Sequence, residues 1–398
     1  MIAGLYDEND NLIADWETLG IDVEKDCADP YNTSNASKTS PYYVLRHNSA
    51  YSAGRKLVIP YGVTHIGDCA FHYCSSLTSI VIPDSITSIG EGAFQLCSNL
   101  VSIVVPDSVT SIGEYAFSGC SSLKSIVIPD SVTSVGDGTF GGCSSFKSIV
   151  IPDSVTSIGR GAFSDCVSLT NITIPDSVTS IGEYAFIGCN SLTSIVIPDR
   201  VESIGDWAFI GCDDLTRIVI PDSVKSIGEY AFSGCSSLTS VNIGSGVTNI
   251  EGGVFSGCSS LATITLPDNI TSIGESAFEY CSNLTSVVIP DRVTSIGGGM
   301  FYFCSNLTNV IIPDGITSID MYMFYYCSSL TNIIIPNSVT SIGSYVFYNC
   351  SSLNSITFTG TVEQWNAISK GTAWNDDTVN YTIYCTNGSI AKDGTVIY

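Results

Sequence analysis

Cysteine recurs at 74, 97, 120 and every 23 residues onward to Cys350, thirteen times in a chain of 398 residues. Each copy heads a segment like Gly119 to Pro129, "GCSSLKSIVIP". Thiols at a fixed spacing suggest four kinds of chemistry: disulfides, a metal site, redox or nucleophilic catalysis, and plain packing. Thirteen is an odd number, and side chains at one repeat position point the same way rather than at one another, which is poor bridge geometry. No C-x-x-C pair occurs, and one ligand per repeat cannot build a zinc tetrahedron. A catalytic thiol needs a nearby base, yet the three histidines, His47, His65 and His72, all lie before residue 73. Packing remains: the column reads as small, easily buried apolar side chains.

Three cysteines lie outside the column: Cys27, Cys69 and Cys385. His65, Cys69, His72 and Cys74 make an H-x3-C-x2-H-x-C pattern that looks metal-like, but Cys74 belongs to the buried column, so the four should not converge. A Cys27–Cys69 bridge stays open for an oxidising compartment. Asp84, Asp107, Asp130, Asp153, Asp176, Asp199, Asp222, Asp268, Asp291 and Asp314 form a second column. Two readings stay open for it: turn chemistry, with the side chain capping backbone N–H groups, or a ladder for weakly held divalent cations. The run Asp7-x-Asn9-x-Asn11 has the start of a calcium loop but lacks its glycine and its final glutamate. No phosphate-binding, nucleophile-elbow or zinc-protease motif occurs. No catalytic residue and no cofactor is expected, and the chain does not read as an enzyme.

The elements that carry these columns follow from the same period. Prolines step by 23 from Pro60 to Pro336 with one missed beat at Gly244, and phenylalanines step by 23 from Phe71 to Phe347. A fixed period in the twenties means a solenoid and overrides a domain count from length. In "SIVIP" the β-branched residues predict a short strand, with Ile126 and Ile128 facing in and Ser125 and Val127 facing out. Proline ends the strand because it cannot donate to the ladder. The P-D-S-V segment turns the chain, V-x-x-I starts a return run, and glycine followed by A-F-x-x-C predicts a short helical turn that closes the coil.

The pattern L-x-x-I-x-I-P-x-x-V-x-x-I-G-x-x-A-F-x-x-C resembles the BspA-like leucine-rich repeat family over roughly residues 57 to 358. The resemblance implies an α/β solenoid: a right-handed superhelix of about thirteen coils with a parallel sheet on its concave face and short helical turns on the convex side. It also implies a bacterial surface or secreted protein, since some members bind host matrix proteins or other cells.

A solenoid's open ends need caps. Residues 1–56 break the period and read as an N-terminal cap: a hairpin turning near Asn9-Asp10, a short helix around Ala14 to Leu19, and a polar loop over 28–40. Residues 57–358 are the solenoid. Residues 359–398 read as a C-terminal cap, with a short helix that turns Trp365 and Ile368 to the last coil and then a hairpin with turns at Asn387-Gly388 and Asp393-Gly394.

With 38 acidic against 14 basic residues the net charge is −24, which repels phosphate backbones and anionic membrane surfaces. Nucleic-acid binding and membrane insertion are not expected, and no apolar run approaches the roughly 20 residues of a bilayer span. The N-terminus, without a basic start or a long apolar core, does not read as a secretory signal. An intracellular location therefore stays open beside the surface one.

Two surfaces are candidates for a partner. The strand face presents Ser79, Ser102, Ser125, Ser148 and Asn171 beside Val81, Val104, Val127, Val150, Val196 and Val219, with Ile311 and Ile334 later in the row. Such a half-apolar stripe suits a ligand, and it is also what β-propensity selects. The last four coils replace small residues such as Ser118, Gly119, Gly141 and Gly142 with Tyr280, Tyr302, Phe303, Tyr322, Tyr325, Tyr326, Tyr345 and Tyr348, with Met300, Met321 and Met323 nearby. Tyrosine suits protein interfaces and sugar stacking, and tighter packing near the cap is the other reading. Two functions follow: a recognition or adhesion scaffold for a protein or glycan partner, or a structural, self-assembling repeat protein.

Overall fold

A computed structural model describes residues 4–7, 12–15, 44–45 and 55–397. The chain forms two compact units, residues 1–200 and 201–398.

In the first unit, strand Gly4–Tyr6 pairs antiparallel both with Leu12–Asp15 and with Lys56–Val58, placing Leu5 opposite Leu57. Lys56–Val58 then runs parallel to Ser79–Val81, and that strand to Ser102–Ile103. Further on, Ser148–Val150 pairs in parallel with Asn171–Thr173. In these parallel pairs each residue meets the one 23 positions on, so the register is the repeat itself. The return run builds a second parallel ladder, Val44–Leu45, His65–Ile66, Ser88–Ile89 and Ser111–Ile112. The helix expected around Ala14 to Leu19 starts inside a strand, since Ala14 and Asp15 pair with Leu5 and Gly4. The rest of that expectation, the polar loop, Cys27, Asn9 and Asn11 lie outside the described residues.

In the second unit one sheet runs parallel from Arg217–Ile220 through Ser240–Ile243, Thr263–Thr265, Ser286–Val288, Asn309–Ile311 and Asn332–Ile335 to Ser355–Phe358. Thr382–Cys385 continues it in parallel, so the thirteenth repeat is not the last turn. Strands Gly388–Ala391 and Val396–Ile397 then add antiparallel. Between these turns lies the helix Val362–Ala367, opened by a capping box in which Thr361 and Gln364 satisfy each other's backbone N–H groups. Trp365 and Ile368 are buried.

The cores repeat with the sequence. The leucine (Phe146 in one turn), phenylalanine and cysteine of each repeat from Phe71 to Leu353 are fully buried. Phenylalanine rings of successive turns stack almost flat, as in Phe94–Phe117 at 5.3 Å and 4° and Phe232–Phe255 at 5.9 Å and 10°. At the missed proline, a Cβ on Gly244 would fall 2.5 Å from the Pro221 carbonyl carbon, and one on Gly246 would overlap the Asp222 carbonyl oxygen. The break is a close approach of two backbones.

The segment after each glycine corrects the expected helical turn. In a helix every N–H serves its own segment. Here alternate N–H groups leave it. Gly299, Phe301 and Phe303 donate to the carbonyls of Met321, Met323 and Tyr325 in the next turn, while Tyr302 and Cys304 donate three residues back. Aiming alternate groups along the array requires left-handed residues, and two occur per turn: Gly299 at φ 63° and Phe303 at φ 58° in this one. The segment is a chain of tight turns stitched to its neighbours.

Candidate functional site

The left-handed positions decide where side chains leave the surface. The second of them is glycine at Gly188, Gly211, Gly234 and Gly257, and becomes Tyr280, Phe303 and Tyr326, all at φ 56–60°. A side chain there costs about 1 kcal/mol relative to glycine. Tyr73, Leu96 and Asp165 of the first unit and Asn349 of the second also carry a side chain at this position.

These residues and their neighbours form three rows. Tyr280, Phe303 and Tyr326 stack at 5.3 and 4.6 Å. Tyr302, Tyr325 and Tyr348 stack at 4.9 and 5.1 Å, within 12° of parallel. Tyr322 and Tyr345 stack at 5.5 Å and 8°. The rows meet edge to face, Tyr280 against Tyr302 at 83° and Tyr322 against Tyr325 at 84°. All eight expected aromatic residues therefore come together. Met300 and Met323 do not join them; both are core residues, whereas Met321 is exposed.

The phenols of Tyr302 and Tyr348 resist ionisation. Partial burial, then the neighbouring Tyr280 and Tyr325 and the Glu279 carboxylate, push Tyr302 above the usual tyrosine value. A hydrogen bond to Asp377, reinforced by its charge, pushes Tyr348 up to about 12. Both hydroxyls stay neutral donors and acceptors over any physiological range.

Val127 and Val150 belong to the first unit. Both are 72% exposed and flank a depression of about 350 Å³ edged by Asp130 and Pro152.

The cysteine column is structural. Each cysteine from Cys97 to Cys189 donates its thiol to the phenylalanine carbonyl 26 residues back, as Cys143 does to Phe117 at 3.3 Å. Burial pushes the Cys120 thiol up to about 12 and the Cys143 thiol well above its ordinary value. Sequence reasoning found the burial but missed the donor role. Asp222 accepts from both the backbone N–H and the hydroxyl of Ser245 one turn on, at 2.7 and 3.0 Å, and these bonds hold its carboxyl below the ordinary range. Serines beside the aspartates, such as Ser154 and Ser177, donate to carbonyls of the preceding turn. Among the described residues no group of three or more His, Cys, Asp or Glu is placed to hold a metal ion. Cys69 is exposed and Cys385 half-buried, both as thiols.

A family model described as a BspA-type leucine-rich repeat region of six copies matches residues 50–169, 156–285 and 271–372. The chain belongs to the BspA-type leucine-rich repeat family. A leucine-rich repeat protein from Bacteroides ovatus is 31% identical, covering 88% of this chain and 97% of its own, with a TM-score of 0.66. A leucine-rich cell surface protein from Faecalibacterium prausnitzii is 34% identical over 79% of this chain and 90% of its own, with a TM-score of 0.52. The pneumococcal vaccine antigen PcpA, 18% identical with a TM-score of 0.51 over 86% of this chain and 83% of its own, shares the fold. No curated protein matches. Repeats of this family are scaffolds, and the second unit's aromatic rows are an addition to the BspA-type pattern as this chain repeats it.

Proposed function

We infer that this BspA-type chain is a non-enzymatic recognition scaffold, which docks a protein partner on the aromatic rows between Tyr280 and Tyr348. The observation that carries the reading is the stacking itself. Ring faces along each row are taken up by the next ring, at 4.6–5.5 Å. A glycan stacks on open ring faces. What these rows turn outward is mostly ring edge and neutral hydroxyl, the mixture of apolar contact and hydrogen bonding found at the cores of protein interfaces. The likeness to a cell surface protein supports a place on the bacterial surface, and adhesion as the use.

The test is binding of the full chain to a panel of extracellular-matrix proteins and to a glycan array, with a Tyr302→Ser, Tyr325→Ser, Tyr348→Ser variant beside it. Protein binding that falls at least about tenfold in the variant is expected, since interface tyrosines often contribute 2 kcal/mol or more. Binding that survives the triple substitution, or that appears only on glycans, overturns the reading. Concentration-dependent self-association by light scattering, with no other partner, would establish the self-assembling alternative instead.

A further inference from the structure

The aromatic rows have one gap. The row that holds Tyr322 and Tyr345 is preceded by Gly299, and the adjacent row holds Gly298 where neighbouring turns carry Glu275 and Met321. These two glycines leave a notch of about 240 Å³, walled by Glu275 and Glu279 from the turn before, Tyr302 from the same turn, and Met321 and Tyr322 from the turn after. Tyr345 stacks on one face of Tyr322, and Tyr322 also lines the notch. Tyr302 stands perpendicular to it, 6.2 Å away at 85°. Two perpendicular electron-rich rings with two carboxylates make a receptor for an organic cation.

The same chain shows what fills such a notch. In the first unit Gly161 precedes Tyr184 as Gly299 precedes Tyr322, six repeats earlier. There the residue at the position of Gly298 is Arg160. Its guanidinium carbon lies 5.2 Å from the Tyr184 ring centre, and its Nε pairs with Glu183 at 3.1 Å. In the second unit the arginine is replaced by glycine, and the carboxylates are supplied instead by Glu275 and Glu279. The third glycine-to-tyrosine step, Gly92 to Tyr115, has Glu91 and Gln95 in place of Gly298 and Tyr302, so it lacks both the space and the second ring.

We propose that the notch at Gly298 and Gly299 binds the guanidinium of an arginine on a partner protein, against Tyr322 and between Glu275 and Glu279. Arginine fits better than lysine because a planar guanidinium stacks on a ring while its edge hydrogen-bonds to a carboxylate. The net charge of −24 favours the same partner chemistry. The inference rests on the aromatic rows facing a partner and names the anchor they would receive.

The experiment titrates the full chain with the peptide acetyl-Gly-Arg-Gly-amide and with its citrulline counterpart, which keeps the shape and loses the charge. The arginine peptide should bind several-fold more tightly than the citrulline one. Gly298→Arg, which supplies the chain's own guanidinium as Arg160 does, should weaken peptide binding about tenfold. A Cβ at Gly298 would lie 3.0 Å from the Met321 carbonyl oxygen, so thermal unfolding is measured alongside. Tyr322→Leu and Glu279→Gln, both at surface side chains, should weaken binding independently of that contact. Equal binding of the two peptides, no binding of either, or full binding to both Gly298→Arg and Tyr322→Leu overturns the notch. Any of these leaves the matrix-protein test of the aromatic rows standing.

Discussion

The Cys120 thiol donates a hydrogen bond to the Phe94 carbonyl of the preceding turn, with Sγ 3.2 Å from the oxygen. The same carbonyl receives the Cys97 N–H at 3.1 Å. One cysteine per turn thus serves two needs: it fills a small buried space, and it satisfies the second lone pair of a carbonyl that water cannot reach. Alanine would fill less space and donate nothing.

Burial holds these thiols protonated, with Cys120, Cys166, Cys235, Cys281 and Cys350 all pushed up to about 12. The thiolate is the reactive form, so the column should be inert. Of the sixteen cysteines, thirteen lie in the column. An aromatic disulfide reagent at pH 8 should therefore titrate no more than Cys27, Cys69 and Cys385 in the native chain, and all sixteen in denaturant. The sign follows from linkage. A raised thiol value stabilises the fold below the unfolded thiol range and loses that contribution as pH rises through about 12. Rapid native reaction beyond three equivalents would sink the assignment.

The left-handed positions carry a measurable strain. Gly234 sits at φ 72°, and a Cβ there would meet only Gly211, at 3.6 Å and beyond. The space is open, so Gly234→Ala isolates the backbone term and should destabilise by about 1 kcal/mol in urea unfolding. No loss of stability would show that the left-handed backbone carries no strain at this position, the one that Tyr280, Phe303 and Tyr326 occupy in later turns.

Tyr348 should be among the last phenols to ionise. Its value of about 12 arises first from the hydrogen bond to Asp377 and then from that residue's charge. Because the neutral phenol is favoured, its contribution is present below the ordinary tyrosine value of about 10 and is lost as pH rises towards 12. Asp377→Asn should return one tyrosine towards about 10 in an ultraviolet titration. An unchanged titration would show that stacking against Tyr325 and Tyr326, rather than Asp377, sets its environment.

The period of 23 determined most of the architecture by itself. Pro221 ended a strand with Ile218 and Ile220 facing inward, although the same segment before Pro129 makes only an isolated bridge at Ser125, and Phe117 and Cys120 were buried because every turn must bury the same apolar set against its neighbours. The repeat also fixed the register, because a residue pairs with its own copy one turn on. The aromatic cluster was legible as the place where the last coils depart from the pattern. Only the tertiary structure decided the rest. The turn after each glycine looked helical, since A-F-x-x-C suits a helix locally, but half its N–H groups are claimed by the next turn, and no local pattern records that. Whether tyrosine faces are open or stacked depends on ring orientation across three turns, which residue identity does not contain. The notch was hidden for the same reason. In sequence Gly298-Gly299 is one more small-residue variation, and only the fold lines the space around it with Tyr302, Tyr322, Glu275 and Glu279 from three turns, at the repeat position where Arg160, six repeats earlier, lies over Tyr184.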